Sequence, residues 1–182
     1  MTVELSQFIP GLLVALLFGL ATGPWAARRW GTNRSLGTAL MASFGAVVAL
    51  TLTPGGDVAP PGSFLGSCDL TRFGPPSLAD LSNLNEVSLN VILFIPLGIS
   101  IGLLARSRLK AATVVAAIAL PFAIEAIQLV VVPLGRYCDS ADVSDNLIGL
   151  LVGLVLGTII GGAVRHRVRA REVAAAAGPE RG

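Results

Sequence analysis

The sequence predicts an all-α, polytopic membrane protein of about five transmembrane helices. Three observations carry that expectation: 53% of the 182 residues are hydrophobic and only 13% are charged, the mean hydropathy is +0.77, and five separate apolar runs are long enough to cross a bilayer. A soluble domain of this length has too little interior to hide such a composition. The 21 glycines, set against few aromatic residues, suit helices packed closely in lipid.

The runs are read as Leu5–Ala27, Ser35–Thr53, Val87–Ala105, Ala111–Pro133 and Asn146–Val164. Each supplies roughly the 20 residues needed to cross about 30 Å of hydrocarbon. Together they make a membrane domain over residues 1–164. The first run is expected to stay as a helix rather than be removed as a signal peptide, since Glu4 stands where a positive n-region belongs and the basic cluster follows the run.

Charge assigns the sides. Arg28, Arg29 and Arg34 lie between the first two runs, Arg106, Arg108 and Lys110 between the third and fourth, and Arg165, Arg167, Arg169 and Arg171 after the fifth. The alternate loops hold only Arg72 and Arg136 among basic residues, beside Asp57, Asp69, Asp80, Glu86, Asp139, Asp142 and Asp145. The positive-inside rule therefore predicts a bacterial cell-membrane protein with its N-terminus outside and its C-terminus cytoplasmic. This charge distribution belongs to a membrane protein, so no nucleic-acid partner is expected despite a pI near 8.9.

Residues 54–86 form the longest connection, rich in Pro and Gly, and read as an external loop. Its last part, Ser77–Glu86, carries Leu78, Leu81 and Leu84 at intervals of three, the pattern of a short amphipathic surface helix. Residues 165–182 read as a basic anchor and disordered cytoplasmic tail. His166, the one histidine, reads as a solvated residue among arginines.

Chemistry concentrates at the outer end. Glu125 and Gln128 share one face of the fourth run, and a carboxylate inside a span costs about 2.5 to 3.5 kcal/mol on insertion scales. Such a residue is a functional candidate, with buried helix glue as the plain alternative. Counting back from Pro133 puts Glu125 about 12 Å below the outer end. Asn90, about one turn into the third run, reaches a similar depth, and Pro96 interrupts the hydrogen-bond ladder near the middle of that helix. The turn between the last two runs adds Arg136, Asp139, Asp142, Asp145 and Asn146.

Asp142, Ser144 or Asp145 would cap the fifth helix. Arg136, with its planar fork, suits a carboxylate or an anionic head group. The aspartates lack the glycine and terminal glutamate of a calcium loop, and no zinc spacing, phosphate loop, dinucleotide motif or histidine triad is present, so neither metal nor cofactor is expected. Gly149, Gly153, Gly157 and Gly161 recur every fourth residue and bare one helix face, with Gly98 and Gly102 as a shorter counterpart. Cys68 and Cys138, both placed outside, are expected to form a disulfide that draws the long loop over the acidic turn as a lid. Closing a loop of about 70 residues stabilises by roughly 4 kcal/mol in the chain-entropy model.

Asn90 with Phe94-Ile95-Pro96-Leu97-Gly98, Glu125-Ala126-Ile127-Gln128, Arg136, Asp139, Asp142-Val143, and Asn146 with Gly149 and Gly153 together resemble the VanZ-like family of bacterial membrane proteins. The likeness spans residues 90–153 and departs at Asp145, where an apolar residue is expected. The resemblance implies a membrane protein of a family named for low-level resistance to the lipoglycopeptide teicoplanin, with no settled molecular mechanism. The resulting expectation is a non-enzymatic envelope protein whose outer-leaflet site, built from Asn90, Glu125, Gln128, Arg136, Asp139, Asp142 and Asn146, recognises an amphiphile. Membrane lipids, a lipid-linked wall precursor or a lipoglycopeptide are the candidate partners. The alternatives are an intramembrane lipid-modifying enzyme using Glu125 and Arg136, and a proton-coupled transporter.

Overall fold

The computed structural model describes residues 9–54, 66–82, 85–105 and 107–176. The start of the first predicted run, residues 55–65, 83 and 84 of the long loop, Arg106 and the last six residues lie outside them. Five helices are long and apolar enough to cross a membrane. They are α1 (Ile9–Trp30), α2 (Arg34–Leu52), α4 (Glu86–Leu103), α5 (Arg108–Val130) and α6 (Ser140–Ala176), with a five-residue helix α3 (Leu78–Ser82) before α4. The predicted surface helix is thus present over part of its range, with Leu81 exposed.

α2, α4 and α5 start one to three residues earlier than hydropathy alone placed them, because polar side chains cap their first turns. The Leu36 N–H donates to the Asn33 side chain at 2.8 Å and the Lys110 N–H to the Ser107 hydroxyl at 3.0 Å. Asn85 and Ser88 close a reciprocal capping box at the head of α4. Pro96 does not break α4, which continues through it. α6 differs most: at 37 residues it begins before Asn146 and continues past Val164 through the basic stretch Arg165–Arg171. Arg and Ala are strong helix formers, and propagating an established helix is far easier than nucleating one.

The α4–α6 crossing brings backbone against backbone. An ideal Cβ on Gly149 would stand 2.1 Å from the Val91 carbonyl oxygen, one on Gly153 2.3 Å from that of Ile95, and one on Gly157 2.3 Å from that of Ile99. From the other side, Cβ atoms on Gly98 and Gly102 would meet α6 backbone at 2.4 and 2.8 Å. Gly161 takes no equal part, as its nearest neighbour is its own helix's Arg165 side chain. A second close crossing, unforeseen in the sequence, joins α1 and α2, where Cβ atoms on Gly19, Gly23 and Gly37 would be obstructed at 2.6, 2.3 and 2.5 Å.

Leu40 and Val47 of α2, Phe94, Leu97 and Ile101 of α4, Ile124 of α5 and Leu150 of α6 fill the shared core. At one end, the Trp30 indole N–H donates to the Thr113 hydroxyl at 2.9 Å, and the Lys110 ammonium donates to the Gly102 and Leu104 carbonyls closing α4. At the other end, two-residue strands β1 (Cys68–Asp69) and β2 (Cys138–Asp139) pair in parallel, Cys68 opposite Cys138, and a disulfide joins those two residues. The expected bridge is present.

Candidate functional site

The disulfide end is assembled by a sharp reversal after α5. A single 3₁₀ turn, Val132–Leu134, ends on Gly135 with φ 62°, a left-handed conformation that costs glycine nothing. The chain then doubles back through Arg136 and Tyr137 to β2 and the start of α6. Asp139 caps that helix, its carboxylate accepting the Ala141 N–H at 2.7 Å. The cap is therefore Asp139, not Asp142, Ser144 or Asp145, because α6 starts earlier than the apolar run does.

Glu125 is only 5% exposed, and its Oε2 accepts the Asp139 backbone N–H at 2.8 Å. This contact joins the two acidic residues that line a cleft of about 300 Å³. Leu70 and Phe73 of the strap 66–82, Phe122 and Ala126 of α5, and Val143 and Ser140 of α6 complete its walls, with the disulfide at one side. Phe73 is 72% exposed, and Leu70 and Phe122 are also exposed. The result is an open apolar groove with a carboxylate set into it.

The other sequence-predicted residues divide between roles. Gln128 is buried, and its Nε2 donates to the Thr51 carbonyl at 3.0 Å. Arg136 donates from Nε to the Thr53 carbonyl and from Nη2 to that of Leu50, each at 3.3 Å. Both side chains thus satisfy carbonyls at the C-terminus of α2, where a cation also meets the negative end of the helix dipole. The expected pairing of Arg136 with Glu125 or an aspartate is not made among the described contacts. Asn146 is 1% exposed, with no partner for Oδ1 among the described residues, and Gln128 Oε1 is in the same position. Asn90 and Asp142 are half-buried in α4 and in the first turn of α6. Neither lines the cleft.

Sequence reasoning missed Arg72. Its guanidinium grips Asp145 in a fork, Nη1 to Oδ1 at 3.3 Å and Nη2 to Oδ2 at 2.5 Å. Asp145 is fully buried. Those hydrogen bonds hold the Arg72 guanidinium even more firmly protonated than usual. The Ser140 hydroxyl donates to the Arg72 carbonyl at 2.8 Å, which further ties the strap to α6. The signal was present: a disulfide from Cys68 to Cys138 carries Arg72 and Asp145, a few residues beyond each cysteine, into one neighbourhood. Among the described residues no group of His, Cys, Asp and Glu side chains is arranged to hold a metal ion.

Comparison with known proteins assigns the chain to one family. The VanZ/LLP1 family model matches residues 12–161, which takes in α2, α4 and α5 entire, most of α1, the first part of α6 and the disulfide end. No curated protein and no solved structure matches the chain.

Proposed function

Because the chain belongs to the VanZ/LLP1 family, and because the cleft at its disulfide end is apolar-walled with a carboxylate in it, we propose that it is a non-catalytic envelope protein that recognises an amphiphile. The observation that carries this reading is the position of Glu125, buried in a helix that faces lipid yet lining an open groove. A site of about 300 Å³ stands at the lower limit of ligand pockets. It suits a head group and the adjoining length of chain better than an entire lipid.

In this reading the disulfide end faces outward. Arg28, Arg29, Arg34, Arg108 and Lys110 gather at the opposite end with the arginines of α6, as the positive-inside rule requires of a cytoplasmic face. The groove then opens to the outer leaflet, where lipid-linked wall precursors and lipoglycopeptides are found, and resistance to teicoplanin-type antibiotics follows if occupancy sequesters either. The lipid-modifying alternative loses support, since Arg136, its anion clamp, is engaged by the end of α2.

Expression in a sensitive bacterium tests the proposal. Susceptibility to lipoglycopeptides should fall more than susceptibility to their unlipidated relatives. Equal susceptibility with and without the protein would remove the resistance part of the reading, and failure to retain any extracted envelope lipid would remove the rest.

A further inference from the structure

The charges around the cleft are lopsided. Among the described residues the disulfide end carries Asp69, Asp80, Glu86, Glu125, Asp139, Asp142 and Asp145 against two guanidiniums, Arg72 and Arg136. Arg72 is committed to Asp145 at 2.5 Å. Arg136 is committed to the carbonyls of Leu50 and Thr53. No salt bridge reaches Glu125 among the described residues, and its hydrogen-bond donor is a neutral backbone N–H from Asp139.

A phosphate or carboxylate seated in the cleft would have no arginine to answer it and would meet two carboxylates at the wall. A buried anion is stabilised by an opposite charge and by donors aimed at it. Anionic head groups therefore face repulsion here, and a cation supplies what the wall lacks. The exposed apolar rim of Leu70, Phe73 and Phe122 provides for a chain.

From this combination we infer that the cleft between Glu125, Asp139 and the apolar rim binds a cationic amphiphile, an alkyl or acyl chain carrying an ammonium group. The inference rests on the amphiphile reading above and narrows it. The ammonium lies against the Glu125 carboxylate, whose Oε2 already takes the Asp139 N–H, and the chain runs out past Phe122 towards lipid. Phosphate-headed lipids are refused by the same wall.

Three probes of equal chain length separate the possibilities: dodecylamine, dodecanol and dodecyl phosphate, each radiolabelled. Retention is measured on the full chain in phosphatidylcholine nanodiscs, with empty discs as the blank. Dodecylamine should be retained above the blank, dodecanol more weakly, and dodecyl phosphate not at all. Glu125→Gln keeps an acceptor for the Asp139 N–H and so the local fold, and it should weaken dodecylamine binding at least about tenfold while leaving dodecanol unchanged. Ala126→Trp places a bulky ring in the cleft from an exposed position and should block both ligands. An intact Cys68–Cys138 bridge and a single sharp elution peak show that each variant is folded. Dodecyl phosphate retained as well as dodecylamine, or amine binding unchanged in Glu125→Gln, overturns the cation preference; if Ala126→Trp still blocks what binds, the amphiphile reading survives. No probe held above the blank overturns both.

Discussion

Arg72 and Asp145, 73 residues apart in the chain, meet as a two-pronged ion pair at 2.5 and 3.3 Å, with the aspartate fully buried and the arginine partly exposed. The pair pins the strap 66–82 to the first turns of α6. Removing one partner of such a pair strands the other. Arg72→Leu leaves Asp145 buried without its counter-ion and should lower stability by about 2 to 4 kcal/mol, the arginine's partial exposure keeping the loss below that of a wholly buried pair. Asp145→Leu added to it should recover much of the loss, since two apolar side chains replace the pair without an orphan charge. Thermal unfolding of the detergent-solubilised protein checks both, and a double variant less stable than Arg72→Leu would contradict the account.

The Cys68–Cys138 bridge closes a segment with a sequence separation of 70. In protein isolated without reductant, mass spectrometry after alkylation should find neither cysteine modified. Cys68→Ser/Cys138→Ser should lose roughly 4 kcal/mol in the chain-entropy model. Native alkylation of both thiols would show that the bridge does not form in the cell.

Glu125→Gln separates a working carboxylate from helix glue. Its insertion cost falls with the charge, so membrane abundance should equal or exceed that of the parent. Ligand-dependent activity should be lost. Arg136→Ala should behave differently, lowering stability by about 1 to 2 kcal/mol through the unsatisfied carbonyls of α2, with the cleft left in place. A fully active Gln variant would show that the charge at Glu125 is not used.

Gly149→Ala must push α6 off α4, since its Cβ would fall 2.1 Å from the Val91 carbonyl oxygen. Melting should occur at lower temperature, corresponding to about 1 to 3 kcal/mol of strain. Gly162→Ala, in the same helix with nothing within 4 Å, should be neutral or slightly stabilising. Equal behaviour of the two variants would mean that the close crossing does not form.

Orientation is open to a reporter that works only in the cytoplasm. Fused after Arg171 it should be active, and inserted at Gly62 it should be silent. The reverse pattern would turn the cleft to the inner leaflet.

Hydropathy and charge made the five spans legible because crossing a bilayer demands long apolar runs whatever the tertiary packing. The every-fourth glycines of α6 were legible for a similar reason, as their spacing follows the helix period. Gln128 and Arg136 were seen as polar residues at the right depth, but which neighbour each would reach depends on how α5 is rotated against α2. Nothing local encodes that. Gly19 and Gly23 of α1 also stand four apart, with Ala15 and Ala27 one turn to either side, but the residues they meet, Ala42 and Thr38 of α2, follow only from how the two helices are set against each other. Asp145 stood out as unexpected in an apolar position, yet its partner lay in a loop where no periodic pattern singles out a residue.

The glycine contacts between α4 and α6 also decide where the molecule can give way. Helices slide past one another when intervening side chains exchange rotamers, and where main chain lies directly on main chain there are none to exchange. These two helices must pivot as one body, carrying Ser140 and Val143 with them as an immovable jaw. Across the groove from that jaw, an occupant too broad for it is admitted by displacing Phe122 and Ala126 on α5, at the cost of that helix's contacts through Ala117, Pro121 and Ile124. On that side the tolerance of the groove for bulk is an elastic property of α5, set by buried side chains that do not line the groove.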